Sequence, residues 1–133
     1  MSVHKSPITC HVLDSSLGRP AAGVKVQLQR HRKISDSDQG EVFAFDPIAH
    51  GETNGDGRCM DLLTPRSDSV EDLAILHTGL YKIIFQTKEY FKQTDRDCFY
   101  PWVEVTFEIL DSNQHYHIPL LLSPYSYTTY RGS

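Results

Sequence analysis

Cysteine is scarce in this 133-residue chain, and the three present (Cys10, Cys59 and Cys98) form no close pair. That spacing supplies neither a disulfide framework nor a Cys-x-x-Cys metal knuckle. The expected setting is a reducing compartment, with the thiols acting as small buried apolar groups. No apolar run approaches the roughly 20 residues of a membrane helix. The first nine residues hold no apolar core of a secretory leader, and Arg131-Gly132-Ser133 is not a Ser-Lys-Leu-type address. The cytoplasm is the expected location, with peroxisomal import as the alternative. Basic charge is not in excess: 13 Lys and Arg against 17 Asp and Glu leave a formal charge of -4, which lacks the electrostatic footprint of a nucleic-acid binder. There is no Gly-x-Ser-x-Gly elbow for a serine nucleophile. Internal repeats and low-complexity stretches are absent too.

What is there fits one domain over residues 1–133, long enough to bury a sizeable core. A hydrophobic fraction of 39% argues against disorder. Most segments read as short strands. Ile8 to Leu13 is the first. Val24 to Gln29 alternates Val24, Val26 and Leu28 with Lys25, Gln27 and Gln29, the period of a strand with one wet face. Arg30 to Gly40 is charged and reads as an exposed loop before a short strand at Val42 to Phe45. Asn54-Gly55 and Asp56-Gly57 are turn signals, followed by a strand at Cys59 to Leu63. Ser69-Val70-Glu71-Asp72 resembles a helix start, with the helix running to about His77 and ended by Gly79. Leu80 to Thr87 and Trp102 to Leu110 are strands, Tyr90-Phe91 continues or caps the former, and His115 to Thr129 is the last. Seven or eight short strands and one short helix indicate an all-β sandwich of two antiparallel sheets.

Polar groups stand where strands are expected to be apolar. His11 shares a face of the first strand with Thr9 and Leu13, while Cys10 and Val12 take the other. That alternation argues against a Cys10–His11 catalytic pair. In the last strand His115 and His117 share a face. Arg58 follows the glycine-rich turn, which lacks the Lys-[Ser/Thr] ending of a phosphate loop. Any one of these alone reads as an ordinary surface or satisfied side chain. His115-x-His117 with His11 could seat a metal, but the usual zinc spacings are missing and none is expected.

Taken together, the segments resemble the transthyretin-like proteins. The resemblance rests on Thr9-Cys10-His11-Val12-Leu13-Asp14 with Gly18-Arg19-Pro20-Ala21, and on Thr53-Asn54-Gly55-Asp56-Gly57-Arg58. It extends through Gly79-Leu80-Tyr81-Lys82, Phe99-Tyr100-Pro101 and Leu121-Leu122-Ser123-Pro124-Tyr125-Ser126-Tyr127, nearly the whole chain. One branch of that family carries thyroid hormone; the other hydrolyses 5-hydroxyisourate in urate degradation. The hydrolase branch is marked by a first-strand histidine, an arginine after the Asp-Gly turn, a His-x-Pro and a Tyr-Arg-Gly-Ser tetrapeptide. Here these are His11, Arg58, His117 with Pro119, and Tyr130 to Ser133. His31 to Gly51 and Pro65 to Asp72 look longer than is usual for the family, at loop positions where length is tolerated.

The resemblance implies a metal-independent hydrolase with no cofactor. In it His11 and His117 move protons, Arg58 binds the substrate oxygen, Tyr130 contacts the substrate, and Ser133 orients a histidine or the water. It also implies a homotetramer, a dimer of dimers with the sites between dimers. The rivals are a carrier without catalysis and a partner-binding sandwich using the His31 to Gly51 segment.

Overall fold

The computed structural model describes residues 6–63 and 76–133. In chain order these form β1 (Ile8–Asp14), β2 (Arg19–Pro20), β3 (Lys25–Ser37), β4 (Gly40–Glu52), β5 (Arg58–Cys59), β6 (Gly79–Phe85), α1 (Thr87–Lys92), β7 (Val103–Ile109), β8 (Tyr116–Ser123) and β9 (Ser126–Thr129). One sheet runs β2-β1-β8-β9, with β5 also paired to β1; the other runs β4-β3-β6-β7. The alternation in the sequence becomes the inter-sheet core. Val12, Val26, Leu28, Ile83, Phe85 and Leu120 are almost wholly buried, each worth about 1.5–3 kcal/mol relative to exposure. The all-β sandwich stands, with one amendment: β1 and β8 run parallel, so the first sheet is mixed rather than wholly antiparallel.

Four local expectations are corrected. Arg30 to Gly40 is not a loop. β3 leaves β6 after Arg30 but stays paired with β4 as far as Ser37–Gly40, so its far half stands out as a two-stranded ribbon wetted on both faces. His31 and Glu41 (2.8 Å) and Arg32 and Asp46 (2.6 Å) tie the ribbon across its width. Lys82 caps the Phe45 ring at 4.2 Å. The segment expected as one final strand is a hairpin, β8 and β9, turning at Pro124-Tyr125. The strand expected over Cys59 to Leu63 shrinks to β5. The Pro65 to Asp72 loop and most of the helix expected from Ser69 to about His77 fall on residues 64–75, outside the described residues; Leu76 and His77, where that helix was to end, are not helical. A short helix does follow β6, where Tyr90 and Phe91 had read as a strand's continuation. Its Gln86 N-cap makes no side-chain capping bond. Six residues are too few for a helix to hold itself, so burial of Phe91 and Thr87 fixes it.

The turn after β1 is tied to α1 by a buried carboxylate. Asp14 is fully buried and accepts from the Ser16 and Leu17 amides, the Ser16 hydroxyl, Tyr90 Oη at 2.8 Å and Arg96 Nη2 at 2.8 Å.

Candidate functional site

The site begins at a turn. Asn54 Oδ1 accepts from the Asp56 amide at 2.9 Å and the Arg58 amide at 3.1 Å. Gly57 takes φ +74°, and a Cβ there would lie 2.3 Å from the Val12 carbonyl oxygen. Only glycine fits both the left-handed backbone and that approach. The turn therefore lays β5 against β1, with Arg58 opposite His11 and Cys59 opposite Cys10. It also aims the Asp56 carbonyl at His11 Nε2, 3.0 Å away. A carbonyl only accepts, so His11 Nε2 carries the hydrogen. In the neutral ring, Nδ1 then holds the free lone pair.

From the other side, the parallel β1–β8 ladder sets Thr9 opposite His117 and His11 opposite Pro119. The buried Thr9 Oγ1 lies 2.7 Å from His117 Nδ1 and 3.0 Å from His115 Nε2. A hydroxyl has one hydrogen to donate. One imidazole therefore accepts from Thr9 and the other donates to it, making His115, Thr9 and His117 a directed chain. The His11 and His117 rings stand 6.4 Å apart between centroids, tilted by 35°.

Burial lowers the pKa of both histidines below the usual 6.5, and the charge on Arg58 lowers them further. His11 and His115 add to the effect on His117. Both rings are therefore neutral at pH 7, the form that accepts a proton. Arg58 itself is exposed. Gly132 packs on His117. The Gly132 amide donates to the His117 carbonyl at 2.9 Å, and a Cβ on Gly132 would sit 2.7 Å from His117 Cδ2 and 3.0 Å from Pro119 Cγ. Beside His117 is a cavity of about 220 Å³ walled in part by Tyr116, Ile118, Tyr130 and Arg131. Arg131 stacks 4.7 Å over Tyr116 and donates to Gln114.

Among the described residues no group of three or more His, Cys, Asp or Glu side chains is arranged to hold a metal ion. His115 Nε2 and His117 Nδ1 are engaged by Thr9, and His11 Nε2 by the Asp56 carbonyl.

A sequence model of the HIUase/Transthyretin family matches residues 8–132. The chain belongs to that family. It is 41% identical over 133 residues to 5-hydroxyisourate hydrolase of Mus musculus, covering 100% of both chains. By structure, this family member is similar to 5-hydroxyisourate hydrolase of Klebsiella pneumoniae: TM-score 0.68, 28% identity, 95% of this chain and 92% of the other. It is also similar to sea bream transthyretin in complex with thyroxine: TM-score 0.74, 28% identity, 95% of this chain and 94% of the other.

Of the expected site residues in this HIUase/Transthyretin chain, His11, Arg58 and His117 converge through two strand ladders. Tyr130 lies on the cavity wall beside His117, with its side chain exposed. Ser133 is exposed and follows the Gly132 that packs on His117. Sequence reasoning gave no role to Thr9 or the Asp56 carbonyl, and weighed His115 only as a metal ligand. For Thr9 a signal existed, since it shares the His11 face two residues earlier. The Asp56 carbonyl left none, because backbone groups carry no residue identity.

Proposed function

We propose that this family member hydrolyses 5-hydroxyisourate to 2-oxo-4-hydroxy-4-carboxy-5-ureidoimidazoline. The observation that carries the reading is the His11 and His117 imidazoles 6.4 Å apart between centroids, beside the exposed Arg58 guanidinium. Ring opening is water addition to an acyl carbon. It needs a base near pH 7, a stabiliser for the oxyanion and a proton for the leaving nitrogen. A neutral imidazole takes the water proton and, once protonated, returns it to the leaving nitrogen. His11 can accept at Nδ1 because its Nε2 hydrogen is held by Asp56. His117, held at Nδ1 by Thr9, presents Nε2. The Arg58 guanidinium stays charged and offers a planar fork to the developing oxyanion. Tyr130 contacts the substrate, and Ser133 orients a histidine or the water. No metal or cofactor takes part.

The assembly in this reading is a homotetramer, a dimer of dimers with the sites at the dimer–dimer interface. It is supported by the polar face that the half-buried His11 and the exposed Arg58 share. Light scattering at four chain masses is the expected result.

The deciding experiment mixes the protein with freshly generated 5-hydroxyisourate and follows its ultraviolet band. Decay well above the spontaneous rate is expected; decay at the spontaneous rate refutes the reading. His117→Ala and Arg58→Ala should each lower kcat by about 10²-fold or more. The likeness to the thyroxine-bound sea bream protein favours a second reading, a carrier. Thyroxine binding without turnover would select it.

A further inference from the structure

Cys10 and Cys59 face each other across the β1–β5 ladder, one register step from His11 and Arg58. Partners in a strand pair point to the same side of the sheet, and both side chains enter the core, at 0% and 1% exposure. The bond from the Val12 amide to the Gly57 carbonyl, 2.7 Å, marks Val12–Gly57 as a hydrogen-bonded position. By alternation His11–Arg58 is not one, and Cys10–Cys59 is. Cα atoms at such a position lie about 5.5 Å apart, within the span of about 4.4–6.8 Å that disulfides take. The Cβ separation, about 4.5–5.5 Å across an antiparallel pair, must close by roughly 1 Å to reach disulfide geometry. A bond formed that way is strained and readily reduced.

The two thiols are not equivalent. The hydrogen bond between them raises the pKa of Cys10, helped by burial, and lowers that of Cys59 against the pull of burial. Cys59 is thus the more acidic sulfur, although the charge of the Asp61 carboxylate, 3.6 Å away, works against its thiolate. Cover over Cys59 is thin. Gly51 of β4 packs on it with backbone alone, where a Cβ would come within 2.7 Å of the sulfur. β5 is two residues long, so little ladder must open to admit a small molecule.

We propose that Cys10 and Cys59 are a redox pair that a hydroperoxide closes to a cross-strand disulfide, displacing the adjoining His11–Arg58 pair. The Cys59 thiolate attacks one peroxide oxygen and breaks the O–O bond, giving a sulfenic acid and, from hydrogen peroxide, hydroxide. Cys10 sulfur then attacks the Cys59 sulfur. Its proton and the departing hydroxyl leave as water. Two electrons pass from the sulfurs to the peroxide. The disulfide chemistry stands by itself, and only its effect on turnover rests on the hydrolase reading.

The test uses the full chain carrying Cys98→Ser, treated with stoichiometric hydrogen peroxide, alkylated, digested and mass-mapped. Expected are one linked peptide pair containing Cys10 and Cys59, lighter by two hydrogen atoms than the reduced peptides. Hydrolysis should fall about tenfold or more, and dithiothreitol should reverse both changes. Two alkylatable thiols after treatment, or Cys59 carried to the sulfinic acid while Cys10 stays alkylatable, would overturn the pairing. A linked pair with an unchanged rate would overturn the displacement. The rate before oxidation reports on the hydrolase reading separately. Cys10→Ser, with its fold checked by circular dichroism, should lose the reversible inhibition. Should that variant not fold, the thiol count of the Cys98→Ser chain decides alone.

Discussion

Thr9 Oγ1 and His117 Nδ1 are 2.7 Å apart in space and 108 residues apart in the chain. The hydroxyl touches both His115 and His117, so it sets the ring orientation with which Nε2 of His117 meets the substrate. Thr9→Val keeps the shape and removes the bond. It should lower kcat about 10- to 100-fold and stability by about 1–3 kcal/mol, because two imidazole nitrogens lose a partner. Thr9→Ser should restore most of both. Steady-state kinetics and urea unfolding check this; a Thr9→Val protein with the parent kcat would remove Thr9 from the account.

Gly132 is needed for space at His117, not for a special φ. An added methyl would press on His117 Cδ2 at 2.7 Å and on the Pro119 ring, and either the last residues or the imidazole must yield. Gly132→Ala should therefore cost about 100-fold in kcat while the melting temperature moves little, since the strands beneath are unchanged. Kinetics paired with a thermal melt distinguishes this from general destabilisation.

The two imidazoles should titrate below 6.5 in the native protein, because burial and then Arg58 disfavour their protonated forms. A group whose folded pKa is lower than its unfolded one leaves the unfolded chain to take up protons first. Its stabilising contribution is complete above about pH 6.5 and diminishes as the pH falls toward the folded value. Arg58→Gln removes one cause and should move both midpoints upward, read by NMR titration of the imidazole carbon-bound protons. Midpoints that stay fixed would mean Arg58 does not act electrostatically on the pair.

Asp14 offers a test away from the site. Burial raises its pKa, but hydrogen bonds from Arg96, Ser16 and Tyr90 outweigh that and hold it below the ordinary value of 3.8. The stability it contributes is present above that value and is lost as the pH falls through the folded pKa. Asp14→Asn leaves the Arg96 charge without its partner and should destabilise by about 3–5 kcal/mol. Denaturant unfolding at pH 7 measures it, and a loss below 1 kcal/mol would contradict the role given to this carboxylate.

The sandwich was legible because Val24 to Gln29 and Trp102 to Leu110 alternate with the period of a half-buried strand. Of the ribbon formed by the far ends of β3 and β4, only Val42 to Phe45 was. Both its faces meet water, so Arg30 to Gly40 shows no alternation, and only backbone pairing betrays it. The helix at Thr87 was hidden for the opposite reason: Tyr90 and Phe91 are adjacent apolar residues without a capping signal before them, and tertiary burial alone makes them helical. At the site, His11, Arg58 and His117 were visible as polar intrusions on strands and through the family resemblance. The Cys10–Cys59 juxtaposition was not, since 49 positions separate the two numbers and only the turn at Gly57 brings them level.

The parallel pairing of β1 with β8 has a kinetic consequence. It joins residues more than 100 positions apart, the kind of contact that forms slowly because a large loop must close first. During synthesis, β1 must wait for its neighbour until β8 emerges from the ribosome, while the β3–β4 hairpin can form early. Imidazole pairing should thus be among the last events of folding, and regain of activity should lag behind recovery of the far-ultraviolet circular dichroism of the strands when the denatured chain is refolded.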